Sequence, residues 1–294
     1  MDYAGLFPPA SEDMRTALEN YASYLASPDR LALGRFIVPL ARLRELETEA
    51  RGLFPSKPRS EPWKLSVLVA EDARAAAEDM LEFNRHHLAR SPDGHAVIDV
   101  AELKASSVDE IEHQRAALPR FFTTYFEIPP KGDISELLKA IRRVGARAKI
   151  RTGGVSPEAF PTSAEVIDFI VACRREGVAF KATAGLHHPL RGEYKLTYEP
   201  DAPTGTMYGF LNVFIAAALI HAGVTEDTAL AALEEREPTA FTFTGDALLW
   251  RGKRIDAGDI AASRNDLAVS FGSCSFREPV DELDALAAAA QKSQ

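Results

Sequence analysis

Apolar and polar positions along this chain change repeatedly between a period of two and a period of about 3.6, which predicts strands alternating with helices. Six strand-then-helix units follow one another in the pattern. Their predicted ranges are 35–38 with 41–50, 65–69 with 72–87, 96–104 with 107–117, 122–128 with 133–144, 146–152 with 163–176, and 178–184 with 208–221 and 226–235. Strands separated by helices of this length favour a parallel sheet with helices packed outside it.

A helix is also predicted ahead of the first unit, over residues 11–26. Met14, Leu18 and Tyr21 recur at helical spacing. Ser11 provides the expected cap, and Asp13 lies in the first turn. We therefore assign residues 1–30 to an N-terminal helical extension and residues 31–294 to a barrel-like α/β domain.

The carboxyl-terminal pattern is less regular. Residues 240–250 read as a hairpin around Gly245 and Asp246, followed by a helix over 257–265, a strand over 267–271 and an amphipathic helix over 280–290. Counting the hairpin as one strand position gives about eight strands, and counting it as an addition gives about seven. Eight strands fit a (β/α)8 TIM-barrel-like single domain with a leading N-terminal helix. The alternative is an open doubly wound sheet, which the lack of a glycine-rich dinucleotide-binding turn disfavours.

Composition narrows the class of protein. Of the 294 residues, 46% are hydrophobic and 26% are charged, which provides enough apolar material for a large core. The formal net charge of −9 disfavours binding to nucleic acid or to an anionic membrane. The amino-terminal residues lack the pattern of a signal peptide, and the apolar stretch 210–222 is too short to span a bilayer. Because the two cysteines are far apart in sequence, we expect a reduced, cytoplasmic protein.

Basic side chains stand at the ends of two adjacent predicted strands. Lys149 and Arg151 share one strand face just before Gly153 and Gly154, and Lys181 shares a face with Thr183 in the next strand. Barrel enzymes carry their reacting groups at the carboxyl ends of the strands. A lysine inside a barrel must be paired or lose its proton, so a buried position usually serves a purpose. These residues predict a site for a small anionic metabolite, with Lys149 and Lys181 in catalytic roles and Arg151, Thr183, Gly153 and Gly154 binding the anion.

The loop after the Lys181 strand carries two imidazoles and a guanidinium. His187 or His188 is a candidate general acid or base, and Arg191 a further anion-binding group. Adjacent histidines in a strand would point apart, so the interpretation we prefer includes no metal and no cofactor. A metal-dependent hydrolase using Glu127, His187 and His188 remains an alternative, as does a structural role for one imidazole.

Acidic residues lie near the ends of two earlier strands. Glu102 and Lys104 are two residues apart, and Glu127 ends the following strand. Glu127 is a candidate base, whereas Glu102 and Lys104 are candidate binding groups. An internal ion pair that balances the charge of a buried lysine is the alternative for all three.

Small residues follow the last predicted strand, in the segment 270–276. Ser273 is a candidate anion ligand there, because small residues before a helix can offer free backbone N–H groups to a phosphate or carboxylate. A close-packed turn is the alternative. Cys274 is a weaker candidate nucleophile, since no histidine lies near it in sequence.

Two segments resemble a known family. Phe180-Lys181-Ala182-Thr183-Ala184-Gly185 resembles the Lys-Thr-Ser-Thr-Gly segment of deoxyribose-phosphate aldolases, and 149–154, Lys-Ile-Arg-Thr-Gly-Gly, is similar to their Lys-plus-Gly-Gly strand end. The match covers about a dozen residues, in the reverse order along the chain. It implies that Lys181 forms a Schiff base and that Lys149 lowers its pKa. These segments and the one around Ser273 also resemble a group of bacterial barrel-like proteins that carries no assigned activity.

Three functions follow as expectations. The first is an enzyme, a lysine-dependent lyase, aldolase or isomerase, acting on a small phosphorylated or carboxylated carbonyl compound. The second uses the same basic residues for a phosphoribosyl or other phosphate-bearing substrate without covalent catalysis. The third is a non-catalytic protein that binds an anionic metabolite. The substrate and the oligomeric state stay open, and a homo-oligomer is one option.

Overall fold

The computed structural model describes residues 1–55, 61–70, 72–88 and 95–292, so the last two residues of the predicted domain lie outside it. The strands are β1 Asp2–Tyr3, β2 Phe36–Pro39, β3 Trp63–Leu68, β4 Ala96–Lys104, β5 Thr123–Glu127, β6 Arg147–Arg151, β7 Phe180–Thr183, β8 Gly192–Lys195, β9 Thr204–Met207, β10 Phe241–Phe243, β11 Ala247–Trp250, β12 Lys253–Asp256 and β13 Ala268–Ser273. The α-helices are α1 Met14–Ala26, α2 Leu43–Glu49, α3 Ala73–Leu88, α4 Val108–Ala117, α5 Ser135–Arg143, α6 Ser163–Glu176, α7 Phe210–His221, α8 Glu226–Leu233, α9 Ala257–Asp266 and α10 Arg277–Lys292.

Eight parallel strands form a closed barrel, which confirms the predicted fold class. The strands follow one another around the barrel from β1 to β7, and β13 closes it by pairing with both β7 and β1. Helices alternate with these strands along the chain. Because both edges of the sheet are paired, the open doubly wound alternative is wrong.

The first barrel strand is very short and lies inside the segment that the sequence pattern assigned to an extension. Asp2 pairs with Gly272 and Tyr3 with Ser273 on one side, and Tyr3 pairs with Phe36 on the other. Helix α1 therefore belongs to the first strand-helix unit, and residues 1–30 are part of the barrel. Two residues are too few to show the alternation that predicts a strand.

The amino-terminal cap of α1 also differs from the expectation. Asp13 is the cap, and its carboxylate accepts a hydrogen bond of 2.9 Å from the backbone N–H of Thr16. Ser11 lies two residues earlier with a φ of 46°. The aspartate oxygen therefore satisfies the free N–H group at this helix end.

The segment 240–250 is an addition to the barrel. Strands β10 and β11 pair as the predicted hairpin, and β12 extends it to a three-stranded antiparallel sheet outside the barrel. A second hairpin, β8 with β9, lies between β7 and α7, in the stretch 185–207 where the sequence pattern predicted no element. The eighth barrel position is filled by β1 instead of the hairpin.

Alternation along β7 separates the outer apolar core from a polar interior. The ring of Phe180 contacts the ring of Phe169 in α6, with centroids 5.4 Å apart, and both side chains are fully buried. The next residue, Lys181, extends to groups from other strands of the barrel. Within the part of the chain described, no helix has both the length and the apolar character needed to cross a bilayer.

Candidate active site

Lys181 lies in the barrel interior between two carboxylates. Its Nζ is 2.6 Å from Oδ2 of Asp2 and 2.5 Å from Oε1 of Glu102, and the whole residue is inaccessible to solvent. The ammonium also lies 5.6 Å from the centre of the Tyr125 ring. Burying a lysine requires such compensation, and here two opposite charges provide it.

Lys149 forms a second ion pair, above the first. Its Nζ is 3.0 Å from Oε2 of Glu102 and 2.9 Å from Oε2 of Glu127. Glu102 thus joins the two lysines, with one oxygen facing each, and Ser66 donates a 2.6 Å hydrogen bond to Oε1. Lys104, the sixth charged group here, is exposed, and its Nζ lies 3.7 Å from Oε1 of Glu127.

The pKa directions favour the charged forms of Asp2, Glu102, Glu127 and Lys181. Burial alone would raise the pKa of Glu102, but the charges of Lys181 and Lys149 outweigh it and hold the pKa well below the usual value. The same competition lowers the pKa of Asp2 and of Glu127. Burial would lower the pKa of Lys181, yet Asp2 and Glu102 raise it above its usual range.

This pairing changes the interpretation of Lys181. A Schiff-base lysine must reach its substrate as a neutral amine. The raised pKa of Lys181 favours its protonated form, the residue is fully buried, and Glu102 pairs with both lysines. The structure gives no sign that Lys149 lowers the pKa of Lys181. Lys181 therefore supports Glu102 and does not act as a free cation.

A cavity of about 270 Å³ opens at the carboxyl ends of the barrel strands. Its lining comes from the strand ends and the loops that follow them, where barrel enzymes carry their active sites. The lining residues are Ala4, Phe7, Pro8, Pro9, Ile37, Leu68, Glu102, Lys149, Arg151, Gly154, Val155, Thr183, Ala184, Gly185, His187, Gly272 and Cys274. Four predicted site residues of the barrel strands thus line the same cavity: Glu102, Lys149, Arg151 and Thr183.

Arg151 is the cation left available to a ligand. Its side chain is exposed, and its Nε donates a 3.0 Å hydrogen bond to the carbonyl of Gly153. Among the described residues, no carboxylate oxygen lies within 4.0 Å of its guanidinium. Of the three cations from which an anion site was predicted, Arg151 is therefore the one without a carboxylate partner among the residues described, whereas the two lysines are paired with carboxylates.

The two glycines after Arg151 are required by close packing. A Cβ on Gly153 would lie 2.5 Å from the ring of Phe160, and a Cβ on Gly154 would lie 2.7 Å from the Cβ of Ala159. These glycines let the loop turn closely beside the cavity, and Gly154 contributes to its wall. Gly153 shapes the site without lining it.

A thiol and an imidazole form another part of the cavity wall. Sγ of Cys274 lies 3.5 Å from Nδ1 of His187, although the two residues are far apart in sequence. Burial lowers the pKa of His187 to about 4 and raises that of Cys274 to about 11. The pair is therefore a neutral imidazole beside a neutral thiol. The neighbours of Cys274 in sequence do not indicate this contact, because His187 lies 87 residues earlier in the chain.

Ser273 does not offer the anion cradle that its position predicted. The residue is buried, its hydroxyl lies 3.5 Å from Nδ1 of His187, and it accepts a long 3.4 Å hydrogen bond from the backbone of Ser275. It is also absent from the cavity lining given above. These contacts fit the alternative interpretation of this segment, a close-packed turn.

His188 and Arg191 lie outside the cavity lining. The ring of His188 stacks on Tyr194 with centroids 3.5 Å apart, and its Nδ1 lies 2.9 Å from both carboxylate oxygens of Glu282. Arg191 donates a 2.7 Å hydrogen bond to the hydroxyl of Ser163. These contacts hold the loop after β7 against the surrounding helices, so His187 is the histidine of the pair that reaches the cavity.

Metal ligation is geometrically conceivable at two places in the described chain. One group consists of His188, Glu278 and Glu282, and the other of Glu47, His86 and His87. The predicted set of Glu127, His187 and His188 does not form such a group among the residues described, because Glu127 is held beside Lys149. The metal-hydrolase alternative therefore loses its ligand set.

Comparison with known proteins adds no further constraint: no protein-family model, curated protein or solved structure matches this chain. The function has to be argued from the geometry of the site.

Proposed function

We propose that this chain is an enzyme, a lyase or isomerase, that acts on a small anionic carbonyl compound and uses Lys149 to stabilise the enolate. The observation that carries the proposal is the position of Lys149, whose ammonium lies in the cavity wall between Glu102 and Glu127. Arg151 stands two residues further along the same strand and supplies the charge that attracts the anion.

Lys149 suits an electrostatic role. Its side chain is 9% exposed, so a substrate in the cavity can contact it, whereas Lys181 is completely enclosed. Its two carboxylate partners fix the ammonium in place before substrate arrives, which is the preorganisation that stabilises developing charge most effectively. Lys181 and Asp2 anchor Glu102 from below and are positioning residues.

His187 is the group we assign to the proton transfer, because its imidazole lines the cavity, whereas Glu127, the other candidate base, lies outside the lining. In the first step the C–H bond next to the substrate carbonyl breaks, its electron pair forms a C=C bond, and the carbonyl π electrons move to oxygen. The proton passes to a ring nitrogen of His187, and the Lys149 ammonium donates a hydrogen bond to the enolate oxygen. Reprotonation of an enediolate at its other carbon gives isomerisation. In a lyase the same enolate forms when the bond between the α and β carbons of a β-hydroxy carbonyl compound breaks: the β-hydroxyl proton passes to His187, the β carbon becomes a carbonyl, and the electron pair of the broken bond enters the enolate.

Two other properties of the chain support parts of this proposal. The cavity is at the small end of ligand sites, which span on the order of 300–1,000 Å³, and this favours a compact substrate. Cys173 and Cys274 are both free thiols, which supports the expected reducing, cytoplasmic location.

The test is deuterium exchange, because lyases and isomerases of this kind share the enolate step. The protein is incubated in D2O with a panel of 2-oxo acids, hydroxy-oxo acids and sugar phosphates, and NMR follows loss of the proton next to the carbonyl. We expect exchange with at least one compound, reduced at least 100-fold in Lys149→Met and in His187→Gln.

Lys139→Met is the matched control, because Lys139 is exposed on α5 and pairs only with Glu136. It should exchange at the wild-type rate. Tight binding of a panel compound without any exchange would show a non-catalytic binding protein and overturn the proposal. Undiminished exchange in Lys149→Met would refute the role assigned to this lysine.

A further inference from the structure

We infer that the substrate is a monocarboxylate with an apolar body, and that phosphorylated and polyhydroxylated compounds are disfavoured. This inference rests on the proposed function for the reacting carbonyl, but the evidence for it is the division of the cavity into one charged wall and one apolar wall. The charged wall comes from strands β4 and β6, and the apolar wall from the loop after β1 and from strands β2 and β3.

Among the described residues of the charged wall, one cation, Arg151, has no carboxylate oxygen within 4.0 Å. Lys149 faces two carboxylates, so Arg151 alone is available to neutralise the charge of a ligand. A guanidinium matches a carboxylate through two parallel hydrogen bonds, and one such group balances one negative charge. A phosphate dianion would bring an additional charge close to Glu102 and Glu127 without further donors to balance it.

Hydroxyl groups in this region are already engaged. The hydroxyl of Thr183 donates to the carbonyl of Ile150 at 3.3 Å, and that of Ser273 faces His187. Barrel enzymes that bind phosphate commonly use the loops after the last strands. Here the last barrel strand contributes Gly272 to the wall and the loop after it contributes the thiol of Cys274, and a thiol is a weak donor.

The apolar wall lies mainly in the loop after β1. Phe7, Pro8 and Pro9 come from this loop, and Ile37 and Leu68 come from the strands β2 and β3. A sugar hydroxyl placed against these side chains would lose its hydrogen bond to water and find no replacement. A methylene group there gains free energy by leaving water.

Gly272 has no side chain and so leaves space in the cavity that a larger residue would fill. A Cβ added to Gly272 would meet Cδ1 of Ile37 and Cγ2 of Thr183 at 3.5 Å, which is ordinary van der Waals contact. The residue is in a barrel strand that pairs with β1 and β7, and its φ is not positive. Alanine is thus sterically acceptable at this position, and it would occupy space that belongs to the ligand.

The experiment measures binding of straight-chain 2-oxo acids of three to seven carbons by calorimetry. We expect the affinity to rise about fourfold per added methylene until the cavity is full. 2-Oxohexanoate should bind at least tenfold more tightly than 2-oxohexanamide, glyceraldehyde 3-phosphate or 2-oxogluconate. Equal or tighter binding of the phosphate or the polyhydroxy acid would overturn the inference.

Three variants test the walls separately. Arg151→Met should remove the preference for 2-oxohexanoate over its amide, whereas Arg120→Met, an exposed arginine before β5, should retain it. Gly272→Ala should weaken the longest acids at least fivefold and leave the three-carbon acid unchanged. An unaltered chain-length preference in Gly272→Ala would contradict the placement of the apolar body.

Deuterium exchange separates this inference from the proposed function. Preferential binding of apolar 2-oxo acids without exchange would uphold the substrate class and refute the enzymatic function. Exchange with a sugar phosphate, together with weak binding of every 2-oxo acid, would uphold the function and refute the substrate class.

Discussion

The carboxylate of Asp2, in the first barrel strand, lies 2.6 Å from the ammonium of Lys181, in the seventh. Both groups are buried, and Glu102 completes the pairing from the opposite side. A buried ion pair of this kind contributes little net stability compared with apolar residues, but loss of one partner leaves an uncompensated charge. The cluster therefore fixes the position of Glu102 below the cavity.

Replacement of Lys181 is expected to destabilise the fold. In Lys181→Met, Asp2 loses its ammonium partner in the barrel interior, and we expect a loss of about 3–5 kcal/mol in the free energy of unfolding, measured with urea. The double variant Asp2→Asn with Lys181→Met should lose less than the sum of the two single changes, because Glu102 keeps Lys149 and Ser66. Additive losses would show that the two groups do not interact.

The stability of the protein should fall in acid. The pKa values of Asp2 and Glu102 are lowered in the folded state, so their contribution is fully present above the usual carboxyl pKa of about 4. It is lost as the pH falls toward the folded-state values. Urea unfolding between pH 7 and pH 3 should show a weaker decline in Asp2→Asn than in wild type. Parallel curves for the two proteins would exclude this coupling.

Strands β6 and β7 show which part of the site can be predicted from the sequence. Side chains alternate strictly in a strand, so Lys149 with Arg151 could be placed on one face from spacing alone, and both residues line the cavity together with Thr183. Spacing says nothing about what faces those side chains across the barrel. The carboxylates that face both lysines in the barrel interior therefore could not be predicted from spacing.

The contribution of the first strand could not be predicted. A two-residue strand shows no periodicity, and its pairing with β13 joins the two ends of the chain. Asp2 and the apolar loop of Phe7, Pro8 and Pro9 were missed for this reason. The contact between His187 and Cys274 was missed because each stands in a separate loop, and only barrel closure brings β7 and β13 together.

Chemical labelling should distinguish the two barrel lysines. Lys181 is inaccessible and has a raised pKa, so reductive methylation of the native protein should leave it unmodified while exposed Lys139 reacts completely. Lys149 should react slowly, and 2-oxohexanoate should protect it, as read by peptide mass mapping. A borohydride-trapped carbonyl adduct on Lys181 in folded protein would instead restore the Schiff-base mechanism.

Cys274 should behave as an unactivated thiol despite its imidazole neighbour. Its pKa is raised to about 11 by burial, so alkylation by iodoacetamide at pH 7 should be far slower than that of free cysteine. Because the thiolate is the reacting form, the rate should rise about tenfold per pH unit between pH 7 and pH 9.

The second cysteine and the ligand provide the controls for this measurement. Cys173 is fully buried outside the cavity, and its pKa is also raised, so it should react only after unfolding. 2-Oxohexanoate should protect Cys274, since its thiol lines the cavity that this acid is proposed to fill. Rapid, pH-independent alkylation of Cys274 would mean that His187 stabilises its thiolate, and the cysteine would then become a candidate nucleophile.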